Sequence, residues 1–259
     1  MIIIEYSSFQ LFGREIAFYG LLMISGFAVA AVSAIPRAKK LGVNGWEVVY
    51  SGIFAGIGGI LGAKFLSVLT SLNLIVSHKI PFVDIIRNGF VFYGGLLGGA
   101  AGIFIYAKSY KLSVVRYFDL FAPGVPLGHA FGRIGCLLSG CCYGIPVSSG
   151  ISVVYISAAD PVTPLSVPLL PVQLIEACLL LIIYAAAECV FYKSKRSGIA
   201  SVVYLSAYSA ARFVLEFFRA DAERGVLLGL STSQYISLLI FVVCVATVIY
   251  GLKKKSIRG

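Results

Sequence analysis

The sequence predicts an all-α, polytopic membrane protein, and three observations predict it. Hydrophobic residues make up 59% of the chain and charged residues only 12%, with a mean hydropathy of +0.95, so there is too little polar surface to coat a soluble globule of 259 residues. The apolar residues come in runs of about 20, the length that spans a bilayer as a helix, and not in the short alternating segments of a transmembrane barrel. Lys and Arg gather between alternate runs, as they do in cytoplasmic loops. The formal charge of +10 therefore reads as topology, and no nucleic-acid partner is expected.

The elements follow in order. Met1 to Glu15 is a short amphipathic lead that lacks the basic region and small-residue cleavage site of a secretory signal, and it is expected to be retained. The first span runs from Ile16 to Ile35 and is expected to stop at Pro36, ahead of Arg37, Lys39 and Lys40. The second covers Trp46 to Leu69, carries five glycines and contains Lys64. A polar connection with His78, Lys79, Asp84 and Arg87 leads to the third, Gly89 to Ala107, with the segment FYGGLLGGAAG. The fourth spans Tyr117 to Leu138, with Pro123 and Pro126 expected to bend it. Serine, proline and glycine then dominate residues 139–170, an extramembrane loop or small head. The fifth, sixth and seventh spans are Pro171 to Tyr192, Gly198 to Phe218 and Ser233 to Leu252. The whole chain, 1–259, reads as one integral membrane domain.

Thirteen of the 21 Lys and Arg lie after spans one, three and five and at the C-terminus, five lie on the opposite side, and Lys64, Arg133 and Arg212 lie within spans. The positive-inside rule then puts the C-terminus in the cytoplasm and, with seven spans, the N-terminus outside. Residues 139–170 become an extracytoplasmic head.

The chemistry is densest in GHAFGRIGCLLSGCCYG, residues 128–144. On a helix His129, Arg133 and Cys136 fall at i, i+4 and i+7 and share one face. Span six carries a second polar stripe, Tyr208, Arg212, Glu216 and Arg219. Guanidinium forks suit phosphate oxygens, so two such helices facing each other make a phospholipid headgroup site; the alternative is that both arginines snorkel to the outer headgroups. Tyr19, Tyr93 and Tyr208 stand at outer span ends, as site residues or as members of an aromatic belt. Gly94 and Gly95 fit close helix contact better than catalysis. Glu176, one turn after Gln173, is either a structural hydrogen-bond partner of a neighbouring helix or a residue with a catalytic role. Cys136, Cys141 and Cys142 contain no C-x-x-C pair, so no metal is expected. On the oxidising side, Cys141 or Cys142 is expected in a disulfide with a cysteine elsewhere.

Taken together, IAFYGLLMISGF in span one, FVFYGGLLGG in span three, GRIGCLLSGCCYG closing span four, PVQLIE opening span five and YSAARFVLEFFR in span six resemble the prolipoprotein diacylglyceryl transferase family over nearly the whole chain. The resemblance implies a multi-pass enzyme of the bacterial plasma (inner) membrane, without a cofactor. It would transfer a diacylglyceryl group from phosphatidylglycerol to the thiol of a lipobox cysteine in a prolipoprotein and release glycerol phosphate. It also implies that Arg133 and Arg212 hold the lipid phosphate, that Tyr19 and Tyr208 correspond to the family's tyrosines of spans one and six, and that Gly144, Glu216 and Arg219 belong to the motif ends. Departures fall on the acceptor side. Tyr93 stands where the family usually has histidine, Cys136, Ser139 and Cys141 stand where it has asparagines and a glutamate, and Leu170 replaces a histidine that often opens span five. His129, one turn before Arg133, is a candidate base at neutral pH, with a bundle hydrogen bond as the alternative, and Tyr93 is a candidate hydrogen-bond donor or base. Two further readings remain open: a paralogue that uses a different acceptor, and a non-catalytic phospholipid-binding or transport protein on the same scaffold.

Overall fold

The structure is a computed structural model that describes residues 1–259 other than 7, 12, 13, 78, 195, 221–225, 228 and 257–259. His78 and Arg224 of the expected loops thus lie outside the described residues. The long helices are α1 (Phe18–Leu41), α2 (Gly45–Thr70), α5 (Phe92–Ser109), α7 (Gly124–Ser139), α8 (Val172–Lys193), α9 (Ile199–Leu215) and α10 (Thr232–Ser256), with shorter helices α3 (Leu72–Val76), α4 (Phe82–Asn88) and α6 (Val114–Phe121). Five helical segments, starting at Phe18, Gly45, Val172, Ile199 and Thr232, are long and apolar enough to cross a membrane. Large apolar side chains such as Ile57, Phe65, Ile182, Leu239 and Val243 are exposed on them, as expected of surfaces meant for lipid.

The bounds of spans two, five and seven agree with the sequence reading to within a few residues, and two expectations need correction. Pro36 does not end the first span, because α1 continues through it to Leu41. A proline inside a helix removes one ladder bond and crowds the preceding turn, yet α1 runs past Pro36, and the next residue, Arg37, bonds the Leu120 carbonyl. The fourth span is not one helix. Pro123 separates α6 from α7 and stands as N-cap of α7, with Pro126 in the first turn, where a missing N–H costs nothing. The helical class is also supplemented by short strands: β1 (Ile2–Ile4), β2 (Ser8–Leu11), β3 (Arg14–Ala17), β4 (Val153–Tyr155), β5 (Val226–Leu227) and β6 (Leu230–Ser231). The amphipathic lead is therefore β structure, in which β2 and β3 form an antiparallel pair and β1 runs parallel to β4.

The chain divides into two compact units, residues 1–32 with 122–259, and residues 33–121. The second unit is built on glycine. A methyl group on Gly62 would strike the Gly94 carbonyl and the Gly98 backbone, one on Gly58 would meet Gly98 and Gly102, and one on Gly102 would meet Phe54. The α2 and α5 backbones thus touch, which is what small residues permit in a membrane bundle. Gly95 is looser, with Ala63 Cβ 3.7 Å from such a methyl. Arg37 is fully buried; its Nε donates to the Leu120 carbonyl at 2.7 Å and its Nη2 to Ser33 Oγ at 3.2 Å, so it caps the end of α6. Lys64 likewise reaches the Arg87 carbonyl at the end of α4, at 3.2 Å. Tyr117 donates to Glu47 at 2.6 Å.

In the first unit α7, α8 and α9 pack side by side, and α1 approaches α7 through Gly26 and Gly128, where an added methyl would meet backbone. Residues 139–170 carry β4, and Tyr143, Val153, Tyr155 and Leu169 from this stretch share a core with Ile4 and Leu137. Helix α10 starts from a capping box, with the Gln234 side chain accepting from the Ser231 N–H at 2.9 Å and Ser231 Oγ accepting from the Gln234 N–H at 3.2 Å.

Candidate active site

Three neighbouring helices bring the site together. Arg133 comes from the third turn of α7, Glu176 from the second turn of α8, and Tyr208 and Arg212 from consecutive turns of α9. Arg133 Nη2 lies 3.1 Å from Glu176 Oε1, Arg212 Nη1 lies 4.0 Å from Glu176 Oε2, and Arg212 Nη2 lies 2.8 Å from Glu216 Oε2. Tyr208 donates its hydroxyl to Glu176 Oε1 at 3.1 Å. The Glu176 side chain is only 1% exposed, so this is a desolvated cluster in which each charge depends on its partner.

The structure brings both arginines to one carboxylate, Glu176. The sequence left that residue as structural or catalytic, and it is the hub. The available signal was its position, a carboxylate inside an apolar span. Two donors around the hub, Arg133 Nε and Arg212 Nη1, are buried and have no hydrogen-bond partner among the described residues. Such donors are uncommon in folded proteins, and here they sit on the two guanidinium groups expected to hold an anion.

The other predicted residues fall around this cluster. His129, one turn before Arg133, meets the Tyr208 ring edge-on, with centroids 5.2 Å apart, and Tyr208 stacks on Tyr204 at 6.2 Å. Tyr19 packs its ring on α7, where Gly135 leaves room for it. Gly144 bridges Arg219 in an antiparallel pairing that joins the end of α7 to the end of α9, and a methyl there would strike Leu170 and Val172. The flanking Ile145 N–H bonds the Phe218 carbonyl at 3.0 Å, and Ala220 N–H bonds the Tyr143 carbonyl at 3.2 Å. Ser139 accepts from the Ala159 N–H at 2.9 Å through its carbonyl. Tyr93, Gly94 and Gly95 belong to the second unit, where Tyr93 is in the first turn of α5.

The cysteines depart from expectation. All six carry free thiols, so the expected disulfide is not formed. The Sγ atoms of Cys136, Cys141 and Cys142 lie within 4.8 Å of one another, a convergence that the absence of C-x-x-C did not foretell. Hydrogen bonds with Cys136 and Cys141 hold the Cys142 thiol well below its ordinary pKa, and Arg219 and Arg133 lower it further. Cys141 is pushed up by its bonds to Cys136 and Cys142. Gln173, fully buried, donates to the Cys141 carbonyl at 2.7 Å and to the Tyr155 hydroxyl at 3.3 Å, and burial pushes the Tyr155 phenol up.

Membrane-length helices enclosing a buried Arg–Glu–Arg cluster with spare guanidinium donors define a multi-pass membrane protein. The chain belongs to the prolipoprotein diacylglyceryl transferase family, whose model matches residues 7–250. It is 35% identical over 235 residues to the phosphatidylglycerol–prolipoprotein diacylglyceryl transferase of Clostridium tetani (strain Massachusetts / E88), covering 91% of this chain and 93% of that protein. It is also 35% identical over 250 residues to the second such transferase of Clostridium perfringens (strain 13 / Type A), covering 95% and 94%. To the transferase of Dehalococcoides mccartyi (strain ATCC BAA-2100 / JCM 16839 / KCTC 5957 / BAV1) it is 31% identical over 251 residues, covering 96% and 94%.

Proposed function

We propose that this chain transfers a diacylglyceryl group from phosphatidylglycerol to the cysteine thiol of a prolipoprotein at the outer side of the bacterial plasma membrane. The observation that carries the reading is the pair of buried, unsatisfied donors, Arg133 Nε and Arg212 Nη1, on guanidinium groups that already converge. A phosphodiester oxygen on each would complete them with charge-assisted bonds. The names of the relatives supply the donor and the acceptor.

In this reaction the acceptor sulfur attacks the glycerol carbon esterified to phosphate, the carbon–oxygen bond breaks, and glycerol phosphate leaves with the electron pair. Arg133 and Arg212 offset the charge that grows on the leaving phosphate, the largest contribution such a site makes. His129 takes the thiol proton. Tyr208 keeps Glu176 in place between the arginines. Seven crossings, with the N-terminus outside and the C-terminus in the cytoplasm, are supported by the distribution of Lys and Arg; the broken α6–α7 segment and α5 supply the two crossings beyond the five long apolar segments.

The test incubates the purified protein with labelled phosphatidylglycerol, with and without a lipobox peptide, and follows products by mass spectrometry. The peptide should gain a diacylglyceryl thioether as glycerol phosphate appears. Glycerol phosphate release that ignores the peptide would instead make water or another nucleophile the acceptor, and no release at all would refute a transferase.

A further inference from the structure

Where α7 ends, the chain makes a tight reversal. Gly140 takes a left-handed conformation (φ 80°), and Cys142 does the same (φ 59°), which a residue with a side chain adopts rarely. The reversal turns both vicinal thiols back toward Cys136 on the last turns of α7, where extended backbone would send them to opposite sides. The turn is held from three directions: Thr163 Oγ1 donates to the Gly140 carbonyl at 2.9 Å, Gln173 to the Cys141 carbonyl at 2.7 Å, and the Ala159 N–H to the Ser139 carbonyl at 2.9 Å. The three sulfurs, half-buried and within 4.8 Å of one another, are thus a pre-arranged set.

We propose that Cys136, Cys141 and Cys142 form a three-thiolate site for a thiophilic divalent cation of the zinc class. With metal–sulfur bonds of about 2.3 Å, three sulfurs around one ion stand roughly 3.8–4.0 Å apart, so the observed set needs to contract by less than about 1 Å. Soft thiolates select such ions over hard ones. The three sulfurs bind as thiolates, and the thiol protons they still carry are released to solvent. The resulting cluster carries one negative charge. The fourth coordination position is left to water or a further ligand, as in open zinc sites. Gln173 is the outer-shell residue that fixes the ligand-bearing backbone. The inference does not depend on which lipid the arginine cluster binds.

The experiment uses the full-length protein in detergent, reduced and freed of reductant, titrated with cadmium as a spectroscopic probe for zinc. Thiolate-to-cadmium charge-transfer absorption should rise to one equivalent per chain, and zinc added afterwards should compete it away. Cys136→Ser, Cys141→Ser and Cys142→Ser should each weaken binding by roughly 10-fold or more, and the triple variant should lose the band. Cys178→Ser/Cys189→Ser should keep it. The serine variants differ from the parent by single atoms, and their helicity by circular dichroism identifies any that fail to fold; in that event, protection of the parent's three thiols from alkylation by zinc carries the decision. A reduced parent with no charge-transfer band, a triple variant that keeps it, or three thiols alkylated equally with and without zinc would overturn the site.

Discussion

Replacing Arg133 by Gln separates two roles that the geometry superimposes, counter-ion of Glu176 and ligand of a phosphate. Glu176 is 1% exposed and has Arg133 at 3.1 Å as its close cation, with Arg212 at 4.0 Å. Removing one partner of a buried ion pair costs about 3–5 kcal/mol because the remaining charge is left in a low-dielectric site. The loss of one charge-assisted bond to phosphate adds about 1.5–3 kcal/mol to the transition state, which is roughly a 10- to 150-fold fall in kcat/KM. Arg133→Gln alone should therefore be both less stable and much less active. In the double variant Arg133→Gln/Glu176→Gln both charges are gone, and two amides can bond each other across α7 and α8. Thermal stability in detergent should then recover by at least half, while phosphatidylglycerol turnover stays low. Arg133→Lys should keep the charge but lose the fork and fall between. The assay is mass-spectrometric turnover beside a thermal melt of the same preparation. If the double variant regains parental turnover, Arg133 serves only to neutralise Glu176, and the phosphate site is wrong.

Other perturbations address neighbouring residues. His129→Gln should abolish acceptor-dependent turnover while phospholipid binding persists, and Tyr93→Phe should slow it only partly; equal activity of His129→Gln and parent would remove histidine as the base. Tyr208→Phe keeps the ring against His129 and Tyr204 but deletes the bond to Glu176, so a stability loss of about 1.5–3 kcal/mol is expected in the melt, and an unchanged melt would mean that the hydroxyl contributes nothing there. Gly98→Val forces a branched side chain into the Gly58 and Gly62 backbone and should lower stability by about 1–3 kcal/mol or more, whereas Gly52→Ala, which meets nothing within 4 Å, should melt like the parent.

The helices were legible in the sequence because their signal is local: a bilayer demands about 20 apolar residues in a row, and the chain supplies them. The two arginines were legible for the same reason, since a cation in an apolar run has few places to go. Pro36 and Pro123 show where that reading stops. Both are prolines in apolar surroundings, yet α1 passes through one and the α6–α7 segment breaks at the other. Beside Pro36, Arg37 bonds the Leu120 carbonyl 83 positions away from it, a contact that no local pattern announces. Glu176 and the thiol cluster failed to stand out for a related reason. Their meaning depends on α8 lying between α7 and α9, and on a left-handed cysteine that no spacing rule announces. The parallel pairing of Ile2–Ile4 with Val153–Tyr155 depends on residues 151 positions apart and leaves no mark in either segment alone.

The carboxylate between the arginines also has a bearing on selectivity. Being part of the same chain, Glu176 competes for the guanidinium groups at an effective concentration that a dissolved anion cannot match. Inorganic phosphate or sulfate arriving from the aqueous side would have to outbid it with electrostatics alone. A phospholipid brings two acyl tails whose partition into the bilayer already concentrates the headgroup in the plane of the membrane, so it alone reaches the local abundance needed to share or displace the resident carboxylate. In the proposed phosphate site, an internal counter-ion of this kind would favour lipids over dissolved salts, and it would let the protein keep two buried cations charged between turnovers without filling the site with the wrong anion.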